Sequence, residues 1–234
     1  MSSGPSDKGG RVAVCFHGFL RTGIAMRPVR SRLVKEGWHL VDLPTARYEL
    51  SDIDRLGEWA AQKIRETSTR VGGRPVDIVT HSMGGLVLRS SLRHGPPVRR
   101  AVMLSPPNHG AEMAAQVRRI LPLHRLGWDP LAPLLPGVPN HLPTPSGSVE
   151  VGVLVGGRKD GERGYNPLLG ADNDGKVRID EAPLPGSADF RVVKARHPFI
   201  MGQAHVLDLV VRFLRTGSFE PGAEPSDPID KNPL

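Results

Sequence analysis

One stretch of the sequence combines a serine with the local structure that would make it reactive. Residues 77–87, DIVTHSMGGLV, begin as an apolar strand and continue as a helix, with Ser82 at the junction. A sharp strand-to-helix turn exposes the serine Oγ above the sheet edge, and the N–H groups of the following helix can stabilise an oxyanion. Gly84 and Gly85 let neighbouring chains approach, although Thr80 stands where such turns usually have glycine. The pattern predicts a nucleophilic serine, and the alternative is an ordinary loop in which Ser82 only caps a helix.

A second source of hydrogen-bond donors is expected at the end of the first apolar strand. Acyl transfer to a serine needs N–H donors about 3 Å from the position where the oxyanion forms. The motif His17-Gly18-Phe19 follows the apolar run VAVCF, and its glycine loosens the loop. We expect the amides of Phe19 and Met83 to form this oxyanion hole, and His17 to order the loop by hydrogen bonding.

The general base is expected among the last two histidines of the chain. A serine hydroxyl needs an imidazole to take its proton, and for a serine presented on such a turn the chain order is serine, acid, histidine. Of the nine histidines, only His197 and His205 follow the candidate acids. His197 lies in a loop directly after a predicted strand, whereas His205 belongs to the apolar stripe of a predicted helix. We therefore expect His197 to be the base.

The orienting acid is expected in the loop after the strand at residues 149–155, which offers Asp160, Glu162, Asp172 and Asp174. The acid must hold the tautomer of the imidazole, so a turn of fixed geometry suits it. Asn173-Asp174-Gly175 is such a turn and favours Asp174, while Asp160 lies nearer the strand end and remains the alternative. The loop partly matches a calcium-binding EF-hand, but Gly170 occupies its first position and no flanking helix pair is visible, so we expect no metal.

Strands and helices alternate along most of the chain, as in a parallel sheet covered on both faces. The patterns predict strands at about residues 11–17, 38–43, 76–80, 100–104, 149–155 and 190–194. They predict helices at about residues 26–36, 51–71, 86–93, 111–121 and 203–215. Residues 122–145 contain seven prolines among leucines, which prevents long regular structure and predicts a cap insertion at about residues 111–148. We expect one domain over residues 11–219, with residues 1–10 and 220–234 disordered.

Composition excludes several classes of protein. Hydrophobic residues make up 38% of the 234 and no apolar run approaches the length of a membrane span. Lys and Arg outnumber Asp and Glu by 31 to 24, but these charges are scattered without interleaved aromatic residues, so we expect no nucleic-acid partner. The single cysteine, Cys15, precludes an internal disulfide, and residues 1–10 lack the apolar segment of a signal peptide. We therefore expect a cytoplasmic protein.

Five motifs together resemble those of the compact lipase-like α/β-hydrolases. They are FHGF at residues 16–19, THSMGG at 80–85, SPPNHG at 105–110, DGKV at 174–177 and HPFIM at 197–201. The resemblance extends over about residues 11–219. It implies an α/β-hydrolase fold, which is an α/β architecture with a mostly parallel sheet, helices on both faces and a Pro/Leu-rich cap insertion.

The resemblance also implies roles for individual residues. These are Ser82 as nucleophile, Asp174 as orienting acid, His197 as general base, and the amides of Phe19 and Met83 as oxyanion hole. It implies that Asn108 and His109 border the pocket, and we expect them and His17 to contact the substrate.

The function implied is hydrolysis of carboxylic esters, as in esterases and lipases, through an acyl-enzyme and without a cofactor. An acyltransferase or thioesterase using the same residues remains an alternative, as does a non-catalytic binding protein that kept the fold. The expected partner is a small-molecule ester or a lipid, and the sequence does not define the oligomeric state.

Overall fold

Six parallel strands form one sheet in the computed structural model, which describes residues 10–48, 52–147, 149–158 and 163–222. The strands are β1 Val12–Phe16, β2 Leu40–Asp42, β3 Val76–His81, β4 Val98–Leu104, β5 Glu150–Gly157 and β6 Asp189–Lys194. Their order across the sheet is β2-β1-β3-β4-β5-β6, and every neighbouring pair is parallel. The carboxyl ends of all six strands therefore lie at one edge of the sheet.

Helices cover both faces of the sheet. They are α1 Arg27–Lys35, α2 Ile53–Thr69, α3 Met83–Ser91, α4 Glu112–Ile120 and α5 Ala204–Thr216, with short 3-10 helices between several of them. Apolar side chains of α2, α3 and α4 pack on one face, and those of α1 and α5 pack on the other. Burial on both sides explains why β1, with the sequence VAVCF, is continuously apolar and does not alternate. The predicted α/β-hydrolase fold class is confirmed.

The element boundaries differ from the predicted ones at a few informative positions. Helix α3 begins at Met83, three residues before the predicted start, because the chain passes from Ser82 directly into helical conformation. Strand β2 pairs over only three residues. Asp52 is the N-cap of α2, and its side chain accepts a hydrogen bond from the Arg55 amide at 2.8 Å.

Residues 111–147, here called the cap segment, lie between β4 and β5. The segment consists of α4 followed by 3-10 helices at Leu123–Leu126, Ala132–Leu134 and Val138–His141. This low content of regular structure agrees with its proline density. Arg89 of α3 is buried beneath the segment and donates hydrogen bonds to four backbone carbonyls, those of Asn108, Pro139, Leu142 and Pro143, at 2.8 to 3.0 Å.

The termini that were expected to be disordered lie outside the described residues, apart from residue 10 and residues 220–222. No helix in the described ranges is both long enough and apolar enough to cross a bilayer.

Gly84 sets the distance between α3 and β1, and its substitution gives a first testable prediction. A Cβ at this position would lie 2.6 Å from the carbonyl oxygen of His17 and 2.7 Å from that of Phe16. Both atoms belong to the backbone, so only a displacement of α3 relieves the clash. We expect Gly84→Ala to lower the free energy of unfolding by about 1–3 kcal/mol in urea denaturation. Gly202→Ala is the matched control, because a Cβ there meets nothing within 4 Å, and equal stability of both variants would contradict the prediction.

Candidate active site

Ser82 occupies the sharp turn between β3 and α3. Its backbone has φ 54° and ψ −127°, a conformation that side-chain-bearing residues rarely adopt. The turn is held by a hydrogen bond from the Ser82 amide to the Leu104 carbonyl of β4, at 2.9 Å, and by one from the Gly85 amide to the Ser82 carbonyl, also at 2.9 Å. The predicted turn is therefore present, and neighbouring strands fix its strained geometry.

This strain leads to a second prediction, on stability alone. A residue in such a conformation costs about 1–3 kcal/mol, which glycine avoids. We expect Ser82→Gly to be more stable than Ser82→Ala by about 1 kcal/mol, a difference of roughly 2–4 °C in Tm for a domain of this size. Because both variants lack Oγ, thermal unfolding followed by circular dichroism compares the backbones directly. A glycine variant that melts at or below the alanine variant would show that the turn is unstrained.

His197 and Asp174 form a buried hydrogen-bonded pair at the same edge of the sheet. His197 begins the 3-10 helix His197–Gly202, three residues after β6. Its Nδ1 lies 2.7 Å from Oδ2 of Asp174, and both side chains are almost completely buried. A carboxylate accepts hydrogen bonds, so Nδ1 carries the proton and Nε2 is the nitrogen that can accept one. This arrangement has the orientation that a general base requires.

Asp174 is fixed by its own turn. Its second oxygen, Oδ1, accepts hydrogen bonds from the amides of Lys176 and Val177 at 2.9 and 2.8 Å. The Asp174 carbonyl also accepts from the His197 amide at 2.9 Å, so backbone and side chain of the two residues are both joined. Gly156 of β5 makes room for this contact, because a Cβ there would lie 2.8 Å from the Asp174 Cβ.

The alternative acids do not meet His197 in the described part of the chain. Asp160 and Glu162 lie outside the described residues. Asp172 directs Oδ1 to the amide of Arg158 at 2.9 Å, away from the imidazole. Within the described residues, Asp174 is thus the carboxylate that contacts His197.

The partial EF-hand match does not assemble a calcium site in the described residues. The carboxylate of Asp174 is bonded as above, and that of Glu181 accepts from the amides of Glu112 and Arg178 at 2.7 and 2.8 Å. Burial raises the pKa of Glu181, against these hydrogen bonds. No group of three His, Cys, Asp or Glu side chains in the described ranges could hold a metal ion.

Ser82 and His197 line one cavity of about 340 Å³. Most of its wall is apolar and comes from the loop after β1, from α4, from the 3-10 turn near Leu134 and from the Asp174 loop. The apolar lining residues are Phe19, Leu20, Pro107, Ala111, Met113, Ala114, Val117, Leu131, Leu134 and Val177. Trp128 of the cap segment lines a different depression. The cap segment therefore supplies an apolar wall beside the serine.

The candidate oxyanion donors lie on two sides of Ser82. Phe19 lines the cavity directly after Gly18, whose added Cβ would approach the Ser82 Cβ to 3.0 Å. Met83 is the first residue of α3, where a backbone N–H has no partner within the helix. Thr80 is fully buried, and its hydroxyl has no hydrogen-bond partner among the described residues.

Three residues that were expected to contact substrate do not line this cavity. His17 is buried and donates from Nδ1 to the Gly18 carbonyl at 2.8 Å while its ring stacks on Tyr48. Asn108 is buried and donates to the Ala182 carbonyl at 2.8 Å. His109 is bonded through Nδ1 to Asn140 at 2.9 Å. These residues do lie next to the motifs of the site. Their side chains, however, form hydrogen bonds and ring contacts with neighbouring loops.

The structure adds three polar residues that the sequence analysis did not identify. His81 lines the cavity, and its Nε2 donates to the His197 carbonyl at 3.0 Å. Burial lowers the pKa of His81 well below its usual range, and the neighbouring His197 lowers it further, so the ring is neutral. Arg21 and Lys176 also line the cavity. Arg21 stands two positions after Phe19, and Lys176 stands two positions after Asp174. This closeness in sequence to predicted site residues is the signal that could have identified them.

Comparison with known proteins agrees with this fold. A model of the alpha/beta hydrolase family matches residues 13–217. The match covers most of the chain, and the protein therefore belongs to the α/β-hydrolase family. A search of curated proteins finds no match to this sequence.

Solved structures with the same fold include several enzymes. The mature form of the Bacillus licheniformis lipase BlEst2 has a TM-score of 0.69 and 22% identity, over 89% of this chain and 92% of that chain. The metagenomic carboxyl esterase MGS0156 has a TM-score of 0.61 and 16% identity, over 82% and 66%. Phospholipase PlaB from Legionella pneumophila has a TM-score of 0.56 and 18% identity, over 75% and 45%. At these identities the similarity shows a shared fold.

Proposed function

We propose that the protein is a serine hydrolase that cleaves carboxylic esters through an acyl-enzyme on Ser82. One observation carries the proposal: His197, oriented by Asp174 at 2.7 Å, lines the same apolar cavity as the strained Ser82. An imidazole held in this tautomer beside a serine is the arrangement that activates a hydroxyl for attack.

In the first step, Nε2 of His197 takes the proton from Ser82 Oγ as Oγ bonds to the ester carbonyl carbon. The carbonyl oxygen becomes an oxyanion, and the amides of Phe19 and Met83 donate hydrogen bonds to it. The bond to the leaving oxygen then breaks, and the alcohol departs with the proton from His197. The acyl group remains esterified to Ser82.

In the second step, water replaces the alcohol. His197 takes a proton from the water as its oxygen attacks the acyl carbon, and a second oxyanion forms in the same position. Its collapse releases the carboxylic acid and returns the proton to Ser82 Oγ. His197 accepts and returns the proton in both steps of the reaction.

The size of the cavity supports a short acyl chain. Ligand pockets commonly measure about 300–1,000 Å³, and this one lies at the lower end of that range. Its wall beside Ser82 is largely apolar, which favours a hydrocarbon acyl group over a polar one. The substrate class proposed is therefore an ester of a small carboxylic acid.

Active-site labelling combined with ester turnover tests the proposal. We expect a fluorophosphonate probe to label the protein and Ser82→Ala to abolish labelling. We also expect hydrolysis of p-nitrophenyl butyrate with a higher kcat/KM than p-nitrophenyl palmitate. Absence of Ser82-dependent labelling and turnover would overturn the proposal. Faster acyl transfer to an added alcohol than to water would identify an acyltransferase instead.

A further inference from the structure

Two cationic side chains line the active-site cavity without a counter-ion. Arg21 belongs to the loop after β1, and Lys176 belongs to the Asp174 loop, so they reach the cavity from different elements. Both are exposed, and neither takes part in an ion pair between described residues. No described Asp or Glu lines the cavity. The cavity therefore combines an apolar interior with positive charge on exposed side chains.

The neighbouring arginines differ from these two cations. Arg118, Arg119 and Arg178 lie on α4 or close to the Asp174 loop, and each is paired with a carboxylate. These three arginines are thus neutralised by described carboxylates, whereas Arg21 and Lys176 are not. The charges of Arg21 and Lys176 also lower the pKa of His81, after the larger effects of burial and of His197.

The distribution of polarity separates the two parts of a substrate. The wall formed by Met113, Val117 and Leu134 is apolar and suits an acyl chain. Arg21 and Lys176 are solvent-exposed, so a group that they bind must remain near the opening, where the leaving alcohol departs. Two cations from separate loops match an anion of more than one charge better than a single carboxylate does.

We propose that the site selects esters whose alcohol portion carries a phosphate group, with the acyl chain in the apolar cavity and the phosphate between Arg21 and Lys176. The inference rests on the proposed function, because it assigns the substrate of the same serine. A water-soluble phosphorylated alcohol and a phospholipid headgroup share this chemistry, and the experiment separates them.

The test compares 1-butyrylglycerol 3-phosphate with 1-butyrylglycerol, two esters that differ only in the phosphate. We expect wild-type kcat/KM to favour the phosphorylated ester by about fivefold to tenfold at low salt, since two exposed charge pairs contribute modestly. Arg21→Gln and Lys176→Gln should each reduce this ratio, and the double variant should abolish it. Arg30→Gln on the exposed face of α1 removes the same charge and should keep the ratio. Added salt should lower it, because screening weakens exposed pairs.

The outcomes separate this inference from the proposed function. Ser82-dependent turnover of both esters, with a ratio that the double variant does not change, would overturn the phosphate inference and leave the hydrolase intact. A longer-chain homologue, octanoylglycerol phosphate, distinguishes the two sources: faster turnover as a monomer indicates a soluble ester, and faster turnover in phosphatidylcholine vesicles indicates a lipid.

A binding measurement keeps the inference testable without turnover. Calorimetric titration of the Ser82→Ala protein should show tighter binding of octyl phosphate than of 1-octanol. Adding Arg21→Gln and Lys176→Gln to this protein should remove the difference between the two ligands. Equal binding of both ligands to the parent Ser82→Ala protein would overturn the inference, whatever the activity assay shows.

Discussion

Replacing His197 with alanine is expected to lower kcat for ester hydrolysis by about 10⁴-fold to 10⁶-fold, because the proton of Ser82 then has no acceptor. The measurement is the steady-state release of p-nitrophenol from p-nitrophenyl butyrate. His205→Ala is the matched control, since His205 is exposed on α5 and does not line the cavity, and its kcat should stay at the wild-type value. Retained activity in the His197 variant, or equal losses in both, would contradict the proposed base.

The same assay tests the acid. In Asp174→Asn, the side-chain oxygen can still accept from the amides of Lys176 and Val177, which turns the NH₂ group toward His197. That donor would leave Nδ1 unprotonated and Nε2 protonated, so the ring could no longer take the serine proton. We expect a loss in kcat of about 10⁴-fold. A comparable loss in Asp160→Asn, with Asp174→Asn active, would show that the acid is Asp160.

A large effect on stability, not on catalysis, is expected at Arg89. Its guanidinium lies under the cap segment and donates to four carbonyls, and burial lowers its pKa to about 10, so it remains charged at neutral pH. Arg89→Met keeps most of the buried volume but leaves these carbonyls without their donor. Each unsatisfied buried polar group costs about 1–3 kcal/mol, so we expect a total loss of roughly 3–5 kcal/mol in the free energy of unfolding.

The control for this variant is Arg55→Met on α2, where the side chain is 85% exposed and its ion pair with Asp52 contributes little. Guanidinium denaturation compares the two proteins. Because Arg89 anchors the cap segment and that segment forms one wall of the cavity, KM for p-nitrophenyl butyrate should rise in Arg89→Met at temperatures where the protein remains folded. A stability equal to that of Arg55→Met would show that water satisfies the carbonyls.

The layers of the fold could be predicted from the sequence because local patterns determine them. A short, continuous apolar run such as VAVCF favours a strand buried on both faces, and the interval between successive runs leaves room for a helix. The turn at Ser82 was predictable for the same reason, since a strand, a serine and two glycines lie together. Asp174 followed from the local chemistry of an Asn-Asp-Gly turn, which the structure shows pinned by backbone amides.

Contacts between distant parts of the chain were harder to predict. His17, Asn108 and His109 stand beside the right motifs, but the direction of a side chain depends on partners such as Tyr48, Ala182 and Asn140, which no local pattern identifies. The same limit applies to Arg89, which has one acceptor just before the cap segment and three within it. The path of that segment is set by proline positions and tertiary contacts, and neither has a recognisable period.

The order of the groups along the chain has a consequence during protein synthesis. Ser82 is translated early, and β4, whose Leu104 holds its turn, follows soon after it, whereas His197 follows β6 at the outer edge of the sheet. A growing chain can therefore display the hydroxyl while no imidazole is present to activate it. In the proposed mechanism, Ser82 therefore gains its base only after β6 has been translated.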